Sequence, residues 1–273
     1  MNWNPRALGA SPFYASVASL LERLPADRFP AADDLNALAG PDVVSGGGVP
    51  IRFVTPLPAE RSSSSKFEAS YEARIHREGA VQTRESSLHD LFNALAWLRF
   101  PLAKAALNRS HYRQMLAQDD RSGTRGPTRD ALTLFDESGV LVVSSSPGLL
   151  GLLRTFDWKT LFVGRRDELR LSMRVYVLGH AILEKAVSPY RGLTGKAMLF
   201  DVDREFFDRT ADAQLRVLDR RVADAVESIS EKPSFAPLPL LGIPGWCADN
   251  DDPAYYDDAA QFRPGRVASR AKR

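Results

Sequence analysis

Between Val175 and Leu183 the chain reads VYVLGHAIL, an apolar run interrupted only by Gly179 and His180. It is far too short to cross a bilayer, so the protein has to bury it within its own interior. With its neighbours it fits one long helix over 167–187, apolar on nearly every face and packed on several sides. His180 and Glu184 then lie four residues apart, about 5–6 Å between their Cβ atoms on one face. Leaving such a group buried and unpaired costs roughly 1–3 kcal/mol. His180 and Glu184 are therefore expected to bond to each other, to a metal or to a third group.

The rest of the chain has enough apolar material to enclose that segment. Of 273 residues, 44% are hydrophobic, which supports a substantial core and excludes a disordered chain. Lys+Arg is 36 against Asp+Glu 34, so bulk charge demands neither nucleic acid nor an anionic membrane. The single cysteine, Cys247, excludes an intramolecular disulfide and a cysteine-built zinc site. Residues 1–24 lack the uninterrupted apolar stretch of a secretion signal. Val17, Leu20, Leu21 and Leu24 instead recur at helical spacing, and a cytoplasmic location is expected.

Breakers divide residues 1–66 into an extended N-terminal segment with one strand over Val49 to Thr55. Tyr71, Ala73 and Ile75 alternate with polar residues as a half-buried strand turning at Gly79. Two helices are expected between 87 and 118, broken at Pro101. ALTLFD (131–136) and VLVVSS (140–145) read as a hairpin turning at Glu137-Ser138-Gly139. Pro147 opens a short helix, 197–203 is a strand, and 211–229 is an amphipathic helix. From about 231 to 273 a proline-rich, then acidic, then basic tail is expected to wrap the surface or stay mobile. Strands and helices mix without βαβ alternation. The expected class is α+β: a single domain over 1–273, a mixed or antiparallel sheet packed by several helices.

Three constellations could carry chemistry. His180 and Glu184 form the first. In the second, His89, Asp90 and Asn93 stand on one helix, with Asn108 and His111 at the end of the next. Taken singly, Asp90 reads as a cap, Asn93 as a backbone anchor and His111 as structural. The third is RDALTLFDESG, where Asp130 and Asp136 flank a strand and Arg129 precedes it. Glu137 and Ser138 are read as plain turn residues. Imidazoles with carboxylates suit zinc, manganese or iron(II), although no HExxH or paired CxxC occurs. No Walker loop, GxGxxG or GxSxG is present, which excludes the nucleotide-dependent and serine-hydrolase classes carried by those motifs. Arg outnumbers Lys 29 to 7, and RSGTRGPTR (121–129) with the basic tail offers phosphate contacts, a secondary nucleic-acid reading.

The stretches YEARIHREGAVQTRESSLHDLFNALAWLRFPLAKAALNRSH, RDALTLFDESGVLVVSSSP, GHAILEK and LGIPGWCADNDDPAYYDDAAQFRPGR are spread from about 71 to 266. Through them the sequence resembles the bacterial domain-of-unknown-function family 3025. The resemblance implies a bacterial source and one integrated domain. It implies no activity, so it carries over no catalytic residue.

The leading expectation is a cytoplasmic enzyme with a polar pocket binding a divalent transition metal (zinc, manganese or iron). His89, His180, Glu184 and His111 supply the metal ligands, and Asp136, Asp130 and Arg129 the catalytic groups. Asp90 and Asn93 support them. The expected reaction is hydrolysis, in which the ion lowers the pKa of bound water and a carboxylate takes its proton. A small-molecule substrate, and among such a phosphoester, would meet Arg129 and Arg125. The alternative is a non-enzymatic binding or scaffold protein in which these pairs only hold elements together.

Overall fold

Local pattern is ambiguous over much of this chain, and pairing with neighbours decides it. The computed structural model describes residues 3–56, 70–117, 126–229 and 233–265. The N-terminal part contains Pro5–Gly9 (α1), Ala18–Leu21 (α2), Ala32–Asn36 (α3) and Arg52–Val54 (β1). Tyr71–Glu78 (α4), Ala80–Gln82 (β2), Leu88–Arg99 (α5) and Pro101–Ala117 (α6) follow. Next come Pro127–Ser138 (α7), Gly139–Ser144 (β3), Pro147–Thr155 (α8), Arg166–Ser172 (α9), Met173–Val177 (β4) and His180–Lys185 (α10). Thr194–Asp201 (β5), Ala211–Glu227 (α11) and Ala236–Pro239 (β6) precede two short 3-10 turns, Ala248–Asp251 and Pro253–Asp257.

The class is α+β in one compact domain, as expected. A mixed sheet runs β4-β3-β5-β6, with β3 antiparallel to β4 and parallel to β5. A small parallel pair, β1-β2, stands apart from it. β3 is buried along its whole length. Its alternate side chains serve different cores, as a period of two requires. Val140 and Val142 join the N-terminal segment, α5, α8 and α10. Leu141 and Val143 join α6, α7 and α11. Prolines 237 and 239 lie on β6, at the sheet edge, where a missing N–H is tolerated. Among the described residues no helix is long and apolar enough to cross a membrane.

Four expectations give way. The helix expected over 167–187 is helix, strand and helix, because Met173 to Val177 pair residue by residue with β3 and that ladder outweighs helical spacing. His180 consequently starts α10 rather than lying within a long helix. The expected strand 131–136 is part of α7. Pro127 occupies the first turn, and Ala131, Leu132, Phe135 and Ser138 bury one helical face. Glu137-Ser138-Gly139 is thus a helix-to-strand junction, not a hairpin turn, and Asp130 and Asp136 stand on a helix. Tyr71 to Ile75 belongs to α4, ended by Gly79 at φ +66°, where a Cβ would meet the Pro50 carbonyl at 2.1 Å. The amphipathic pattern of residues 1–24 breaks into short turns, although Val17, Leu20, Leu21 and Leu24 do enter the core. Beyond β6, Asn250 is buried and donates to the carbonyls of Leu241 and Ile243, and Tyr256 and Phe262 pack into the core.

Only Phe100 separates α6 from α5, so the first N–H groups of α6 need outside acceptors. Asp219 of α11 supplies them, accepting from Leu102 N at 3.1 Å and Ala103 N at 2.8 Å. Burial raises this carboxyl from 3.8 to about 6, against the pull of those two N–H groups. Between these values the native state holds a proton that the unfolded chain has released. The resulting stabilisation is complete below about pH 4 and lost as pH rises through about 6. Asp219→Asn cannot ionise, so it should gain stability relative to the parent on the order of 2–3 kcal/mol between pH 4 and pH 7. Urea unfolding at both pH values checks this, and a parent–variant difference independent of pH would contradict it.

Candidate functional site

The β3–β4 register determines which residues can meet. Val140 at the start of β3 lies opposite Val177 at the end of β4. Residues just before β3 therefore face residues just after β4. Leu178 N and Gly179 N both donate to the Gly139 carbonyl, at 3.0 and 2.8 Å. The backbones approach so closely that a Cβ on Gly179 would stand 2.6 Å from Glu137 O and 2.5 Å from Gly139 N. This crossing sets Glu137, at the end of α7, against His180, the first residue of α10: Oε2 and Nε2 are 3.5 Å apart. α10 packs on α5, and there Glu184 Oε2 meets His89 Nδ1 at 2.9 Å. The His89 and His180 rings lie 4.6 Å apart at 76°.

His89, Glu137 and His180 each offer one ligand atom, and these atoms lie within 4.8 Å of one another. They line a cleft of about 520 Å³ that also receives Tyr71 and Glu72 of α4, Arg84, Asp90 and Asn93, His111, and Arg129, Thr133 and Asp136 of α7. That volume lies within the range of about 300–1,000 Å³ usual for small-molecule sites. His180 is 4% exposed, and among the described residues its Nδ1 has no hydrogen-bond partner, nor does that of buried His111. Contact with the His180 imidazole holds the Glu137 carboxyl below its ordinary value, outweighing its burial.

A second buried network backs the cleft. Lys104, 4% exposed, donates to Asp136 Oδ1 at 2.5 Å and to Asn93 Oδ1 at 3.1 Å. Burial pushes the Asp136 carboxyl up, but the Lys104 ammonium above all, with the His180 and His111 imidazoles nearby, more than reverses this. Asp90, also raised by burial, is brought below its ordinary value by Arg84, whose backbone N, Nε and Nη2 all donate to it.

The predicted residues separate cleanly. His89 and His180 come together, whereas Glu184 stands behind His89 and is paired with it rather than with His180. His111, Asp136, Asp90, Asn93 and Arg129 line the cleft outside the three-residue cluster. Asp130 is exposed and does not line it. Arg125, the rest of 118–125 and the tail from 266 lie outside the described residues. Sequence reasoning missed Glu137, Tyr71, Glu72, Arg84 and Lys104. The signal for Lys104 was available: one lysine in the apolar run PLAKAAL.

A family model described as "Protein of unknown function (DUF3025)" matches residues 51–266. The chain belongs to this family. The matched span holds every residue of the DUF3025 cleft. No curated protein and no solved structure matches the chain.

Removing one partner of a buried ion pair leaves an uncompensated charge, at a cost of about 3–5 kcal/mol. Asp136→Asn or Lys104→Met alone should therefore destabilise the fold by that order. The double variant Lys104→Met/Asp136→Leu should recover a large part of the loss. Denaturant midpoints of the three proteins measure this; strictly additive losses would contradict a coupled pair.

Proposed function

We propose that this protein is a metal-dependent enzyme whose His89–Glu137–His180 cluster holds one divalent transition ion, with hydrolysis of a small molecule as its reaction. The observation that carries this reading is the convergence of two imidazoles and one carboxylate in a cleft of substrate size. Donors about 2.0–2.2 Å from a tetrahedral ion lie about 3.3–3.6 Å from each other. The His180–Glu137 separation of 3.5 Å has that spacing, and it is long for a hydrogen bond. Three protein ligands leave a coordination position open, as catalytic rather than structural sites do. The donor set suits zinc, manganese or iron(II).

Each neighbouring residue has a role consistent with this. Glu184 accepts from His89 Nδ1, which leaves Nε2 as the ligand atom and holds the ring in place. An ion bound here would lower the pKa of water. Asp136, kept ionised by Lys104, is an acceptor able to orient that water. A scaffold role is supported less well. Both partners of the His89–Glu184 pair are half-exposed, and such pairs contribute about 0–1 kcal/mol.

Elemental analysis of chelator-free protein tests the reading. About one equivalent of a transition metal is expected, absent from His180→Ala and Glu137→Gln. Glu184→Gln should bind the same metal about ten- to a hundredfold more weakly. Undiminished metal in His180→Ala would contradict the assignment.

A further inference from the structure

The orientation of one amide fixes the polarity of one hydroxyl in the cleft. Lys104 Nζ can only donate, so the Asn93 atom that faces it at 3.1 Å has to be the oxygen. Asn93 Nδ2 then points the other way and donates to the Tyr71 hydroxyl oxygen at 2.7 Å. Because that oxygen accepts, the Tyr71 proton is available for donation elsewhere. Among the described residues no hydrogen bond uses it. Lys104 is itself fixed by Asp136, so the chain Asp136–Lys104–Asn93–Tyr71 has one sense throughout and ends in an O–H at the cleft wall.

That wall adjoins the proposed metal ligands. His89 and Asn93 are i and i+4 on α5, about 5–6 Å between Cβ atoms on one helix face. Asp136 and Glu137 are consecutive on α7. Asn93 and Asp136 therefore adjoin the His89–Glu137–His180 cluster, and the Tyr71 hydroxyl that ends the chain lines the same cleft. Arg84 lines the same wall, its guanidinium charge balanced by Asp90 through Nε and Nη2.

We propose that Tyr71 is a substrate-binding hydrogen-bond donor, and that the cleft takes a ligand presenting a phosphoryl oxygen between the Tyr71 hydroxyl and the His89–Glu137–His180 centre. This rests on the metal-centre reading above. A neutral phenol O–H set in advance on an anionic oxygen stabilises charge without reorganisation when it develops. Burial of the hydroxyl end, with Glu72, Asp136 and Asp90 nearby, raises the Tyr71 pKa, so the group keeps its proton and acts as a donor.

The probe is inorganic phosphate, titrated calorimetrically into zinc-loaded protein, with zinc content measured on every sample. Tyr71→Phe should keep its zinc and stay folded, with a melting temperature lowered only by the lost Asn93 hydrogen bond, because the residue is 42% exposed and its ring is retained in the variant. Its phosphate affinity should fall about ten- to a hundredfold, the value of one hydrogen bond to a charged group. Equal affinity in parent and Tyr71→Phe overturns the proposal, as does zinc-loaded parent that binds no phosphate. A parent that holds no zinc overturns the metal-centre reading instead, and the donor role falls with it. Zinc analysis thus separates failure of the centre from failure of the Tyr71 assignment.

Discussion

The antiparallel pairing of β3 with β4 is the constraint on which the site depends. Its register brings the end of α7 and the start of α10 to one point, where two backbone N–H groups share the Gly139 carbonyl. Glu137 and His180 meet there because one residue precedes β3 and the other follows β4. Gly179 permits the approach, since any side chain there would strike the backbone of Glu137 and Gly139. Glu137 and His180 are therefore tied to an inner strand of the sheet, whose two faces anchor both halves of the core. A site held this way is placed more accurately than one carried on loops.

A second constraint is electrostatic. Lys104 and Asp136 are taken out of water together, and Asn93 satisfies another of the lysine's donors. Such a pair adds little net stability compared with apolar residues, yet it tolerates only one hydrogen-bond pattern around it. Here that pattern determines which way Asn93 and then Tyr71 point. The buried ion pair thus gives direction to groups at the cleft wall, a link from packing to binding chemistry.

Much of this was legible in the sequence, and the losses have identifiable causes. Helices α5 and α11 follow apolar periodicity, and Pro101 and Pro147 open helices as their chemistry suggests. The segment from Met173 to Leu183 misled because its apolar run, buried throughout from Tyr176 to Leu183, loses its period. Only the β-branched Val175 and Val177 and the following Gly179 hinted at a strand and a break. ALTLFD misled in the opposite way: β-forming side chains there sit on a helix initiated by Pro127. At the site, His89 and His180, which the sequence placed in separate constellations, come together, with His180 buried and His89 half-exposed. Spacing along one helix suggested His180 with Glu184 and left Glu137 as a turn residue, whereas the sheet crossing brings Glu137 to His180 and leaves Glu184 for His89. Contacts across a register of strands leave no local signature.

Zinc K-edge X-ray absorption on zinc-reconstituted protein tests the central claim most directly, because it reads the donor atoms rather than the occupancy. The account predicts only nitrogen and oxygen neighbours at about 2.0–2.2 Å, with the multiple-scattering signature of two imidazoles. A sulfur neighbour at about 2.3 Å, which Cys247 alone among the cysteines could supply, would contradict it. So would an oxygen-only shell without imidazole.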